Sequence, residues 1–295
     1  MTALAPQTAA ISRLFSSSVV RELARKGKSP LFTRLARQSL LLEALPESKR
    51  VYELFDTAFS LLQQEGYRDE YVYKAALVEK ILLGRHSLQT ASMLNEFRVG
   101  ECKADLAILN GTATVYEVKS ERDSLVRLRK QVTAYATVFA KVYVIASESH
   151  VKAVEATVPQ DVGILMLNRR YRISTLRDAT GTPEQTSPAA IFNSLRTQEA
   201  RLVLALNGIQ MPHVPNTVLH AVLREQFLKL EPTSAHAGMV TVLKKTRNLL
   251  PLSTLVSQLP NSLQTAALAV PLRKIDHTRL VDAVNTPLKV AADWA

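Results

Sequence analysis

Cysteine is almost absent: Cys102 stands alone among 295 residues. No intrachain disulfide is possible and a cysteine-rich zinc site is excluded, which suits a reducing cytoplasm. No run of about 18 apolar residues occurs, so neither a membrane-spanning helix nor a membrane partner is expected. Also missing are a glycine-rich phosphate loop, a serine or cysteine nucleophile motif and a nucleotide-binding fingerprint. His86 and His150 lack zinc-site spacing and read as surface or supporting residues. Acids are in deficit, 26 against 37 lysines and arginines, for a formal charge of +11. That excess favours an anionic partner, nucleic acid ahead of a membrane surface. No repeat of solenoid period appears.

What is present falls into regions, and 295 residues leave room for one or two domains. Residues 1–66 read as helical and basic, with apolar positions every three or four residues in "SPLFTRLARQSLLLEAL" and "SKRVYELFDTAFSLLQQEG". The first thirty residues, rich in serine and arginine, superficially resemble an organellar transit peptide. The helical spacing of Leu14, Val19, Val20, Leu23 and Ala24 favours a folded lead-in instead.

Residues 67–172 change rhythm. A helix, "RDEYVYKAALVEKILLG", precedes three strands, "SMLNEFRV", "KADLAILN" and "TATVYEVK". Then come a helix with Asp123 or Ser124 as its cap, the strand "KVYVIAS", a short helix and the strand "VGILMLN". The order α-β-β-β-α-β-α-β predicts an α/β fold, a mixed central sheet with helices on its faces. Residues 173–188 form a linker by composition. Residues 189–295 turn helical again and offer a surface for a second copy, a protein partner or DNA.

The chemistry concentrates in "KADLAILNGTATVYEVKS", residues 103–120. Glu117 and Lys119 are two apart on a strand and leave the same face. Asp105 lies on the preceding strand, where the parity of the turn decides its place. A two-residue Asn110-Gly111 turn sets Asp105 opposite Tyr116; a turn of three or five residues, or a bulge, sets it opposite Glu117. Two converging carboxylates suit an oxygen-loving divalent ion, Mg²⁺ or Mn²⁺, with the Val118 carbonyl as a further oxygen. A nearby lysine can orient and help deprotonate water, so the trio suits phosphodiester hydrolysis.

These residues resemble the PD-(D/E)XK nuclease superfamily. Within it the chain is similar to a family of bacterial and phage proteins whose signature blocks read "RDEYVYK", "LLGRHSL", "EFRVG", "KADLAILNG" and "YEVKSERDSL". The resemblance covers about residues 66–167 and implies a restriction-endonuclease-like core. It implies Asp105 and Glu117 as metal ligands and Lys119 as the catalytic lysine. Ala104 stands where the superfamily's proline is usual. The acid that the superfamily takes from the preceding helix falls on Glu70; helix position alone favours Glu79, and the strand acid Glu96 is a third option. Gln131 and Tyr135, one helical turn apart, match a Gln-x-x-x-Tyr pattern in which the glutamine positions substrate or metal shell.

Around this core, Leu125, Leu128, Val132, Tyr135, Ala136 and Phe139 form one apolar stripe, so Tyr135 reads as core or as a nucleic-acid contact. Arg122, Arg127, Arg129 and Lys130 form a basic flank able to hold phosphates, or a solvated helix face. The expected function is a Mg²⁺-dependent nuclease, on DNA rather than RNA, in a phage, mobile-element or genome-defence setting. The alternative is a binding or regulatory module that keeps the nuclease fold without turnover.

Overall fold

The computed structural model describes residues 4–210 and 214–294, and its contacts divide the chain into two units. One joins Met1–Ile81 to Leu249–Ala295; the other is Leu82–Asn248. The first opens with helices α1 (Leu4–Leu14), α2 (Ser17–Lys26), α3 (Pro30–Gln38), α4 (Leu41–Ala44), α5 (Val51–Leu62) and α6 (Glu70–Leu77). Their limits follow from capping chemistry. The Ser16 and Ser29 hydroxyls accept the N–H groups of Val19 and Phe32, and Gly27 closes α2 with a left-handed φ of 70°. The apolar row expected in the lead-in is real: Val19, Val20, Leu23 and Ala24 are buried on α2. Asp69 caps α6 through the Val72 N–H, and the helix widens into a π turn at Val78–Leu82.

The second unit holds a six-stranded sheet in the order β1-β2-β3-β4-β5-β6. Its strands are β1 (Ser92–Val99), β2 (Cys102–Asn110), β3 (Thr112–Lys119), β4 (Lys141–Ser147), β5 (Gly163–Leu167) and β6 (Ile173–Arg177). β1, β2 and β3 are antiparallel neighbours, β3, β4 and β5 run parallel, and β6 returns antiparallel to β5. The parallel steps need crossovers, supplied by α7 (Leu128–Ala136) and α8 (Val151–Thr157). Helices α9 (Pro188–Ser194), α10 (Thr197–Leu206), α11 (Asn216–Phe227) and α12 (Pro232–Thr246) follow.

One core runs through this unit. Ala107, Ala113, Val115, Val142 and Val144 from the strands meet Leu128, Val132 and Tyr135 of α7. Phe192, Val203, Phe227 and Met239 from α9–α12 join the same cluster. The chain thus divides differently from the four stretches expected. Residues 189–248, grouped by pattern with the C-terminal helices, bury their apolar faces in the sheet unit. The expected linker, 173–188, contains β6, whose half-exposed residues show no alternating pattern.

Helices α13 (Ser253–Gln258), α14 (Asn261–Leu268), α15 (Lys274–Val284) and α16 (Leu288–Ala291) complete the first unit. The Val51 N–H donates to the Thr286 carbonyl at 3.0 Å, and the Thr33 hydroxyl to the Ala291 carbonyl at 2.7 Å. Among the described residues no helix is long and apolar enough to cross a membrane.

Candidate functional site

Register decides what the hairpin can do. Leu106 pairs with Tyr116, Leu109 with Ala113, and Asn110 with Thr112 across the single residue Gly111, at φ 70°. The turn has one residue where three or five were expected, but the count is odd, so the register carried one step further sets Asp105 opposite Glu117, the arrangement the metal reading requires. The formal ladder stops at Leu106, and a side chain takes over: Asp105 Oδ2 accepts the Val118 N–H at 2.8 Å. The contact to Val118 is thus made through its amide.

A second irregularity lies on the other side of β2. Asn95 pairs with Leu106 and Phe97 with Ala104, leaving Glu96 and Asp105 skipped between them. Glu96 has a left-handed φ of 54°, a conformation that a non-glycine residue rarely adopts within a strand. Its effect is visible in the packing: Leu94 and Phe97, three apart, both reach the same core, where strict alternation would part them. The kink therefore lies at the two acids. Glu96 is exposed and ion-paired with Lys103.

Glu117 and Lys119 continue the row of Ala113 and Val115 on the face covered by α7. Both are buried, Glu117 at 2% exposure and Lys119 at 6%. Every polar atom there is tied. Lys119 Nζ donates to Glu117 Oε1 at 2.8 Å and to Gln131 Oε1 at 3.1 Å. Gln131 Nε2 donates to the same Glu117 oxygen at 2.5 Å. The Tyr135 hydroxyl lies 2.9 Å from Glu117 Oε2 and 2.9 Å from the Lys103 carbonyl oxygen. It has one proton, and the carboxylate is the stronger acceptor. Burial, and then the negative charges of Glu117 and Asp105, hold the phenol well above its ordinary pKa, so it stays a donor.

Tyr135 is fully buried, so its place is in the carboxylate clasp and it presents no surface to nucleic acid. Periodicity identified the residue but could not distinguish a buried ring from one whose hydroxyl serves the site. The helix carrying it starts later than expected. Asp123 is no cap for α7: its Oδ2 accepts the Ser120 N–H at 2.8 Å and the Ser120 hydroxyl at 2.6 Å. With that side chain turned back, residues 121–127 form a loop. This loop carries exposed Arg122 and Arg127, with Arg129 exposed on the first turn of α7. Lys130 is engaged by Glu101 at 2.6 Å, which raises its pKa.

The helix acids lie in the first unit. Glu70 opens α6, exposed and ion-paired with Lys74 one turn on. Glu79 sits in the π turn, half-buried and paired with Lys80. The π turn that carries Glu79 departs from the 100° spacing of a regular α-helix. His86 Nδ1 contacts the Asn110 amide at 2.8 Å and His150 Nδ1 the Ser147 hydroxyl at 3.2 Å, both supporting loops.

The donor chemistry fits a hard divalent cation. Carboxylate oxygens of Glu96 and Asp105 lie within 4.8 Å of each other and, like those of Glu117, suit such an ion. Glu117 Oε1 is filled by two donors, while Oε2 takes one and keeps a lone pair.

Comparison with known proteins adds a family. A profile described as bacteriophage P4 protein cII matches residues 63–248, from the end of α5 to the last residue of the sheet unit. The curated protein cII of Enterobacteria phage P4 is 36% identical over 98 residues, 32% of this chain and 37% of that protein. The match thus spans little more than a third of that relative's length. No solved structure matches.

Proposed function

The chain belongs to the bacteriophage P4 cII family, and we propose that its sheet unit carries a divalent-metal-dependent nuclease site of the PD-(D/E)XK type, acting on DNA. The reading takes the sheet and its crossover helices as a restriction-endonuclease-like core. The observation that carries it is the odd register of the β2–β3 hairpin, which sets Asp105 opposite Glu117 with Lys119 two residues on. A net charge of +11 supports a nucleic-acid substrate, and a phage or mobile-element setting agrees with the family.

Asp105, Glu117 and the Val118 carbonyl would hold Mg²⁺ or Mn²⁺, which supplies a Lewis acid for charge developing on the phosphodiester. Gln131 and Tyr135 fix the Glu117 carboxylate in one orientation. Lys119 has three N–H groups and spends two on Glu117 and Gln131. The third is available to orient the attacking water or a phosphate oxygen. The resemblance also implies Glu70 as an acid, and Glu70→Gln tests that assignment.

The deciding experiment incubates single- and double-stranded DNA and RNA with the protein and Mg²⁺ or Mn²⁺. Asp105→Ala and Lys119→Ala should each lose about a hundredfold or more of the cleavage rate. Variants that cut as fast as the parent refute the assignment. A second reading, nucleic-acid binding without turnover, has one observation in its favour: the chain's own donors already engage both oxygens of Glu117. Calorimetry that finds no divalent-ion binding beside undiminished DNA affinity selects it.

A further inference from the structure

The parallel strands β3, β4 and β5 end together. Lys119 pairs with Ala146, Ala146 with Met166, and Ser147 with Leu167, so three carboxyl ends lie level along one edge of the sheet. Ligands of open α/β sheets bind outside such an edge where the strand order reverses; this order does not reverse, and it is the carboxylate site that marks the edge. At its β3 end stands the carboxylate site; at its β5 end the chain turns into β6 through Asn168, Arg169, Arg170, Tyr171 and Arg172. With strands about 4.8 Å apart, the two places are separated by roughly 10 Å, about three nucleotides at ~3.4 Å each along a strand.

That turn is built rather than loose. Asn168 Oδ1 accepts the N–H groups of both Arg170 and Arg172 at 3.0 Å. The Asn168 N–H donates to the Arg172 carbonyl at 2.9 Å, and Tyr171 takes a left-handed φ of 57°. Three arginines are thereby held on one short turn, against their mutual repulsion. Arg169 is answered by Glu148 at 3.6 Å. Arg170 and Arg172 are exposed and have no acidic partner among the described residues.

We propose that Arg170 and Arg172, at the β5–β6 turn, are a phosphate-binding element for a nucleic-acid strand that runs from the Asp105–Glu117 site along the carboxyl ends of β3, β4 and β5. The proposal rests on the nuclease reading for the direction of the strand, but binding is measurable without turnover. The arginine fork suits phosphate oxygens, and each contact releases counterions, so it is read in the salt dependence of affinity.

The test is fluorescence anisotropy of a labelled 24-nucleotide DNA, single-stranded and as duplex, titrated with full-length protein in EDTA across a salt series. Arg170→Ala/Arg172→Ala should weaken binding on the order of tenfold near 0.1 M salt. It should also flatten the log–log salt slope by roughly 1 per arginine. Arg170→Lys/Arg172→Lys should keep most of the slope. Arg201→Ala/Lys245→Ala, removing two exposed charges elsewhere in the unit, should leave it unchanged. The proposal falls if the Arg170/Arg172 alanine pair binds like the parent, if both alanine pairs lose equally, or if the parent binds neither DNA. Cleavage of bis-p-nitrophenyl phosphate by the parent with Mg²⁺ reports the carboxylate site separately. A lost slope without such cleavage keeps the phosphate element and sinks the nuclease; cleavage with an unchanged slope does the reverse.

Discussion

Replacing Lys119 with methionine keeps the side chain but for its terminal ammonium and removes its charge, leaving Glu117 as a carboxylate 2% exposed. The lost contact is an ion pair of 2.8 Å between side chains 8% and 2% exposed. Removing one partner of a buried pair costs about 3–5 kcal/mol. Gln131 and Tyr135 still donate to the orphaned carboxylate, which places Lys119→Met near the lower end, ~3 kcal/mol. Glu117→Gln/Lys119→Met removes the stranded charge and should recover most of that loss, with a coupling of about 2 kcal/mol. The chain has two units, so a single unfolding midpoint is a poor readout. Amide hydrogen exchange at Val115 and Val144, in the sheet core, measures the relevant opening. Repeating it with Mg²⁺ at ten times its dissociation constant should stabilise the parent by ~1.4 kcal/mol. The lysine variant should gain at least as much, since its carboxylate charge is unanswered, and the double variant should lose the effect. A loss below about 1 kcal/mol for Lys119→Met refutes the buried-pair reasoning; no Mg²⁺ effect in parent or lysine variant refutes the metal site.

His236 on α12 is 3% exposed, its Nε2 has no hydrogen-bond partner, and burial lowers its pKa from 6.5 to about 4, against an opposing pull from Glu184. The fold therefore prefers the neutral ring. Stability is complete above pH 6.5 and falls by ~3 kcal/mol as pH drops from there to about 4; His236→Leu should flatten that part of the stability–pH curve, and an unchanged curve would show that the ring is not buried neutral. Gly163 faces Tyr143 across β4 and β5, where an added Cβ would meet the ring at 2.3 Å and the Ala179 nitrogen at 2.8 Å. Gly163→Ala should cost about 1–3 kcal/mol in amide-exchange stability of the sheet, partly restored by Tyr143→Ala; a neutral substitution would mean that the ring moves freely.

The strands from residues 92 to 167 could be read from the sequence because half-buried strands alternate and fully buried ones form short apolar runs, and both signals are local. The start of α7 could not, because Asp123 is as good a cap as any until its carboxylate is seen turned back to Ser120. Competition between a forward and a backward hydrogen bond is decided by the path of the chain, which composition does not contain. β6 and the placement of α9–α12 escaped for a related reason: both are fixed by partners distant in sequence. The site shows the same division. That polar residues sit inside buried strands was legible in an acid set among alanines and leucines and in Glu-Val-Lys at a strand end. How they are joined was not. The Asn110-Gly111 pair announces a two-residue turn, and only the observed pairing of Asn110 with Thr112 shows that one residue fewer separates the strands. That single residue sets every side chain of β3 against the opposite partner on β2. Carried on to residue 105, that register sets Asp105 opposite Glu117, so under the proposed function an insertion after Gly111 should abolish metal-dependent stabilisation while sparing the fold of the first unit.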